Sequence, residues 1–302
     1  MRDIMDCHGE THVGLIRERN EDQFLIADLK KSVVIHQTSL AYDDDTELLG
    51  GTQAKLILVA DGVGGNKAGD RASSLALQGV AHYLLNAMHW LFRPEDDREE
   101  TFIEDLKSAL QYTQSAIQHS AETIPSQDGM GTTITMAYVV WPQVYLIHAG
   151  DSRAYLCRNG EIVRLTRDQT FAQALADSGA LEPEQVETSP LNHILFSLLG
   201  CDPEALDPQV YKSELVSGDT LVLCTDGLTR HVSDSQIVDI LQSQASAEPA
   251  CRQLIQAANA GGGRDNTTVV VARFVDNQAE ELRQSATDTE AAMADTIIQP
   301  TD

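Results

Sequence analysis

The chain is short of positive charge. Only 21 Lys and Arg stand against 46 Asp and Glu, a formal net charge of −25. Nucleic-acid binding rests on clustered Lys and Arg that neutralise phosphates, and none cluster here, which excludes nucleic acid as a partner class. An anionic membrane surface is disfavoured for the same reason. Cysteine is scarce as well: Cys7, Cys157, Cys201, Cys224 and Cys251 form no CxxC pair and no even framework. They read as reduced thiols of a cytoplasmic protein, not as disulfides. Long hydrophobic runs are missing. The longest apolar stretch, residues 80–92, is broken by His and Asn and is too short to span a bilayer. The amino-terminal MRDIMDCHGE has no apolar signal-peptide core. No membrane association and a monomeric, cytoplasmic protein are expected.

What is present suffices for a core: 42% of 302 residues are hydrophobic. Strand-like runs are expected at residues 11–16, 23–27, 33–36 and 56–60. Apolar residues at helical spacing follow over residues 68–91 and 101–123, separated by RPEDDREE. A second block of strands comprises TTITMAYVV, VYLIHAG, RAYLCR and EIVRL, whose short gaps imply antiparallel neighbours. Residues 168–207 are mixed in character, with a short helix near residues 171–178, as in segments that lie over a site. VYKSEL and TLVLCT return to strands, then come helices near residues 234–244 and 249–258, and NTTVVVARF closes the pattern. Strands and helices in separate groups predict an α+β fold with antiparallel sheets covered by helix pairs. The domain is expected to end near residue 275, leaving an acidic tail over residues 276–302 without apolar period.

Four aspartates terminate apolar strands or open them beside glycine: Asp61 in LVADGVGG, Asp151 in IHAGDSRAYL, Asp226 in LCTDGLT and Asp265 in GGRDNTTVVV. One such residue is usually a turn or cap. Several converging without Lys or Arg partners would repel and raise one another's pKa. Divalent cations relieve this, and an all-oxygen donor set without a local His or Cys pair selects Mg²⁺ or Mn²⁺ over Zn²⁺. The Gly62 carbonyl is a further candidate ligand. Two ions about 3.5–4 Å apart are the machinery of phosphoester hydrolysis. Arg17, in the charged turn before Glu21 and Asp22, is a candidate fork for phosphate oxygens.

The ordered series THVGLIRERNED, LVADGVGGNKAGDRAS, GMGTTIT, HAGDSRAYL, CTDGL and GGGRDNTTVVV resembles the bacterial branch of the metal-dependent protein phosphatases, the protein phosphatase 2C family, over roughly residues 11–274. The resemblance implies a sandwich of two antiparallel β-sheets flanked by helix pairs, with a dinuclear Mn²⁺ or Mg²⁺ centre at one end. It implies that Asp61 bridges both ions, that the Gly62 carbonyl binds one, and that Asp226 and Asp265 hold the other. Glu21 and Asp22 would act through metal-bound waters, Arg17 would bind the substrate phosphate, and Asn266 would support the ligands from beside Asp265. Asp151, with Asp226, would hold a third, weaker ion. Residues 168–207 would be a flap over the site. Implied partners are proteins phosphorylated on serine or threonine and a cognate Ser/Thr kinase. The chain departs from the family at Val63, where some relatives carry a His proposed as general acid, at Asn66, Lys67 and Asp70, and at Gln169, where His is common.

Two rival readings come from other classes. Cys224 to Arg230 satisfies C-x-x-G-x-x-R, the phosphate loop of cysteine-dependent phosphatases, but Asp226 inside that loop would oppose both thiolate and phosphate. A phosphatase-like binding module without activity predicts missing ligands, whereas Asp61, Asp226 and Asp265 are all present. In the tail, Thr296 stands in ADTIIQPTD, where phosphorylation would create a docking site for a phosphothreonine reader.

Overall fold

A computed structural model describes residues 4–37, 46–64, 68–88, 99–200, 202 and 205–275. Two antiparallel sheets face each other. The first contains β1 (Ile4–His12), β7 (Arg153–Arg158), β8 (Glu161–Arg164), β10 (Thr220–Cys224) and β11 (Thr267–Val275), in the order β1-β11-β10-β7-β8. The second contains β2 (Asp22–Ile35), β3 (Thr46–Val63), β5 (Ile134–Val140), β6 (Gln143–Ala149) and β9 (Gln209–Glu214), in that order, with β4 (Gly131–Thr132) pairing the end of β3. The α+β sandwich with antiparallel neighbours is as expected.

Three apolar layers hold it together. Along β3, Leu56, Leu58 and Ala60 point outward onto α1 (Gly69–Asn86) and α2 (Glu99–Thr123), while Ile57 and Val59 point into the sandwich. On the other sheet, Val222, Cys224, Val269 and Val271 meet α5 (Asp234–Ser243) and α6 (Ala247–Ala260), and Leu221, Leu223, Val270 and Ala272 face inward. With both faces covered, these central strands read as unbroken apolar runs. The buried stripe of α1, Ala72, Ala76, Val80 and Leu84, recurs at the spacing of one helix face. Truncating Leu84, which is fully buried in that layer, to Ala would cost about 2–5 kcal/mol.

The two-residue period of the strands also places the site. The inward row Ile57, Val59 continues to Asp61 at the end of β3, and Asp22 lies opposite Asp61 in register. The inward row Leu221, Leu223 continues to Thr225, and Val270 is preceded on its face by Thr268. Polar groups thus replace apolar ones at one end of the sandwich.

Some boundaries differ from expectation. The strand expected at residues 11–16 lies earlier, as β1, pairing Ile4–His12 with β11 at the sheet edge. The chain turns at Gly14, whose φ of +82° is left-handed, so Leu15 and Ile16 leave the sheet and lie exposed. The strands expected at 23–27 and 33–36 are one strand, β2, with an irregularity between Lys30 and Ser32. Helices expected at 234–244 and 249–258 appear as α5 and α6. Residues 168–207 contain α3 (Phe171–Asp177) and two 3₁₀ turns, Pro183–Gln185 and Pro190–His193. Asn66, Lys67, Cys201 and the expected tail with Thr296 lie outside the described residues. Among the described residues, no helix is long and apolar enough to cross a membrane.

Candidate metal centre

Asp61 is locked through its backbone. Its carbonyl accepts from the Thr132 hydroxyl at 2.8 Å and the Thr133 N–H at 2.9 Å, and its own N–H donates to Thr133 Oγ1 at 3.0 Å. The next N–H, of Gly62, donates to the Glu21 carbonyl at 3.2 Å, which also accepts from the Ser73 hydroxyl at 2.6 Å. Asp22, buried opposite Asp61, accepts from Thr225 Oγ1 at 2.8 Å, and Thr225 Oγ1 in turn accepts from the Thr268 N–H at 2.9 Å. A threonine at each strand end therefore aims a carboxylate that it does not neutralise.

Asp226 opens α4 (Asp226–Thr229) directly after β10. The following Gly227 packs on the Asn266 backbone so closely that a Cβ would fall 1.8 Å from the Asn266 carbonyl oxygen. Only glycine permits that approach, and it brings Asp226 beside the Asp265–Asn266 pair. Asn266 uses its whole amide. Oδ1 accepts from the Glu21 N–H at 2.8 Å, and Nδ2 donates to the carbonyls of Val13 and Arg19 at 2.9 and 2.8 Å. It ties the loop carrying Arg17 and Glu21 to the start of β11.

Charge is concentrated here. Asp61 and Asp151 are both pushed well above the usual carboxylate range, by burial first and then by neighbouring aspartates. Burial, reinforced by Asp226 and Asp265, lifts Asp22 to about 7. Asp226 is raised by burial, with Arg230 the main opposing influence. Glu21 is raised by burial too, with the Arg17 charge the main opposing influence and the Gly69 N–H at the start of α1 a smaller one. Asp22, Asp61, Asp151, Asp226 and Asp265 act on one another electrostatically, so the topology gathers the aspartates that the strand ends singled out.

Two arginines answer part of that charge. Arg17 forms a fork on Asp265, Nε to Oδ1 at 2.9 Å and Nη2 to Oδ2 at 2.9 Å, with half its side chain exposed. Arg230 bridges Asp226 Oδ2 and Asp265 Oδ2, the latter at 3.2 Å. Among the described residues no three carboxylate, His or Cys side chains are already arranged as a closed cation cage. Yet among the described residues Asp22 Oδ1 and Asp226 Oδ1 are buried acceptors without a hydrogen-bond partner. A buried carboxylate oxygen with no donor is costly, and the donor set around these two is entirely oxygen. A hard divalent cation fits both facts.

Beside Asp226 opens a cavity of about 380 Å³, lined by Asp151, Arg153, Asp168, His193, Arg230 and Arg264 among others. His193 comes from the segment of residues 168–207. Gln169 ties that segment down. Its Oε1 accepts from the Gly150 N–H at 3.0 Å, its Nε2 donates to the Asp207 carbonyl at 2.8 Å, and its N–H donates to the Gly150 carbonyl at 2.8 Å. Both ends of the segment thereby meet the turn carrying Asp151. Asp168 adds a buried ion pair to Arg153, with bonds of 2.7–3.1 Å.

The C-x-x-G-x-x-R reading does not survive this geometry. Cys224 points away from the aspartates into the layer under α5 and α6. Burial pushes its thiol up to about 12, so no thiolate nucleophile forms at neutral pH. Arg230 holds Asp226 and Asp265 rather than a phosphate loop. Sequence reasoning placed Arg230 only in that decoy, and it missed the hydroxyls of Thr133 and Thr225. Their signal was present: each follows the inward parity of its strand.

A family model described as Protein phosphatase 2C matches residues 36–286. The chain is 38% identical over 223 residues to the serine/threonine protein phosphatase PstP of Mycobacterium tuberculosis, covering 74% of this chain and 41% of that protein. It therefore spans less than half the length of that relative. It is 33% identical over 216 residues to the serine/threonine phosphatase stp of Listeria welshimeri, covering 72% of this chain and 83% of the other. Among solved structures, the PstP catalytic domain in complex with two manganese ions superposes with a TM-score of 0.69 at 32% identity, covering 91% of this chain and all of that one. Stp1 from Staphylococcus aureus gives a TM-score of 0.73 at 27% identity, with coverage of 90% and 96%.

Proposed function

Because the chain belongs to the protein phosphatase 2C family, we propose that it is a metal-dependent phosphoprotein phosphatase acting on phosphoserine and phosphothreonine, its ions held by Asp61, the Gly62 carbonyl, Asp226 and Asp265. The observation that carries this reading is the pair of buried, partnerless oxygens on Asp22 and Asp226 within a crowd of aspartates. Two Mn²⁺ or Mg²⁺ ions, when bound, supply the positive charge and the activated water that phosphomonoester hydrolysis requires.

The protein's own groups do the rest. Thr132 and Thr133 hold the Asp61 backbone, and Thr225 orients Asp22. Glu21 and Asp22 would accept hydrogen bonds from water brought by the ions. Arg17 stands half-exposed at the mouth, its fork on Asp265, and on turning from that carboxylate it would present the same planar fork to two phosphate oxygens. Val63 carries no titratable group, so the proton for the leaving oxygen comes from elsewhere. Asp151 and Asp226 share a cavity wall and form the site for a third, weaker ion, under the segment of residues 168–207 that shapes substrate access. The partners in this reading are phosphoproteins of the cytoplasm and an opposing Ser/Thr kinase, with Thr296 a docking site for a phosphothreonine reader.

The runner-up, a binding module without activity, is disfavoured by the presence of Asp61, Asp226 and Asp265. The test is phosphate release from phosphoserine, phosphothreonine and phosphotyrosine peptides, with Mn²⁺ or Mg²⁺ and after chelation. Turnover of the first two that vanishes with EDTA and returns with metal supports the proposal. Metal-independent turnover, or none with any metal, overturns it.

A further inference from the structure

We propose that Arg230 is a built-in counter-cation of the metal centre: it competes with divalent ions for Asp226 and Asp265 and so sets how tightly the enzyme holds them. The inference rests on the ligand assignment above. Its grounds are geometric. One guanidinium reaches both carboxylates, Nη2 to Asp226 Oδ2 and Nη1 to Asp265 Oδ2 at 3.2 Å. These are two of the three aspartates assigned to the ions, and they come from segments far apart in the chain. Asp226 is bonded to Arg230 through Oδ2, while its Oδ1 has no hydrogen-bond partner among the described residues. The guanidinium thus covers only part of the donor capacity that a cation would use.

Arg230 is also free to leave. It sits in the first turn after α4, its side chain is about a third exposed at 37%, and it lines the cavity beside Asp226 together with Arg264, His231 and His193. A guanidinium displaced by an ion can stay in that cavity without being buried. Arg17 differs, since it grips Asp265 alone, from the opposite loop.

Competition of this kind has a signed consequence. Without metal, Arg230 offsets repulsion between Asp226 and Asp265 and stabilises the fold. With metal, the same positive charge must be moved or tolerated, which weakens binding. By linkage, removing it lowers metal-free stability and raises metal affinity together. A residue that merely supports the site would lower both.

The experiment measures Mn²⁺ binding by isothermal titration calorimetry and thermal unfolding of the chelated protein, for the parent, Arg230→Gln, Arg230→Lys and Asp226→Asn. Near-ultraviolet circular dichroism confirms that each is folded. Arg230→Gln is expected to bind Mn²⁺ at least about fivefold more tightly and to unfold at lower temperature without metal. Arg230→Lys, which keeps the charge and loses the fork, should fall between parent and Arg230→Gln. Unchanged or weaker Mn²⁺ binding in Arg230→Gln overturns the inference while Asp226→Asn still loses binding. If Asp226→Asn binds as the parent does, the ligand assignment itself falls.

Discussion

His148 gives a stability prediction whose size follows from the structure. It lies on β6 opposite Thr135 on β5 and is fully buried. Nδ1 stands 2.9 Å from Thr135 Oγ1 and Nε2 3.2 Å from the Arg167 carbonyl. A carbonyl only accepts, so Nε2 carries the proton and Nδ1 of the neutral ring is an acceptor; the Thr135 hydroxyl, whose single proton lies between Nδ1 and the Ser152 carbonyl at 3.0 Å, serves one of them at a time. The ring is neutral, and burial lowers its pKa to about 4, with Asp168 opposing in part. The unfolded chain binds this proton at the ordinary value near 6.5. Between these values the unfolded state holds more protons, so stability is present above about pH 6.5 and lost as pH falls toward about 4. At 1.36 kcal/mol per unit, the loss amounts to about 3 kcal/mol.

The raw pH profile would conceal this. Asp22, raised to about 7, takes up its proton earlier in the folded state, so the metal-free protein gains stability from it as pH falls through the same range. Only a difference isolates the histidine. Urea unfolding of metal-free parent and His148→Gln, which keeps a donor for the Arg167 carbonyl, should show the parent's stability relative to the variant shrinking by about 3 kcal/mol between pH 7 and pH 4. A difference that stays constant across this range refutes the neutral, buried imidazole.

Other expectations are briefer. Gln169→Ala leaves the Gly150 N–H and the Asp207 carbonyl without their side-chain partner. It should cost about 1–3 kcal/mol and speed amide hydrogen exchange in residues 170–195 more than in the sheets. Arg17→Ala should raise KM for phosphopeptides, and Arg17→Lys should restore little of the loss because a single ammonium cannot form the fork. Cys224→Ala should leave metal-dependent turnover within about twofold and cost about 1 kcal/mol through a small cavity under α5, whereas a thiol mechanism would lose turnover entirely.

Much of the fold was legible because both faces of the central strands are covered. Residues 56–60, 221–224 and 269–272 read as strands from their apolar runs, and the helices read from their one-face stripes. Asp61 and Asp226 were legible as strand-end aspartates followed by glycine, and the packing of Gly227 against Asn266 shows why that glycine is there. β1 was not legible, since an edge strand such as MDCHGETH has one open side and carries polar residues that hide its period. Residues 11–16 misled because an apolar run there spans Gly14. Arg230 escaped because its partners lie at Asp226 and at Asp265, and only the second requires the fold to bring it near. Strand parity places Thr133 and Thr225 on the inward face, but their partners, Asp61 and Asp22, lie on other strands and come within reach only through the fold.

In the proposed centre, Asp61 joins Asp226 and Asp265 in holding the ions for hydrolysis. The most direct measurement is the Mn²⁺ dependence of phosphate release from a phosphothreonine peptide by Asp61→Asn beside the parent. The substitution keeps the shape and the backbone bonds to Thr132 and Thr133 but removes the charge. A fall in kcat of about a hundredfold or more that added Mn²⁺ does not repair is the predicted result. Parent-like turnover at the parent's Mn²⁺ concentration would contradict it.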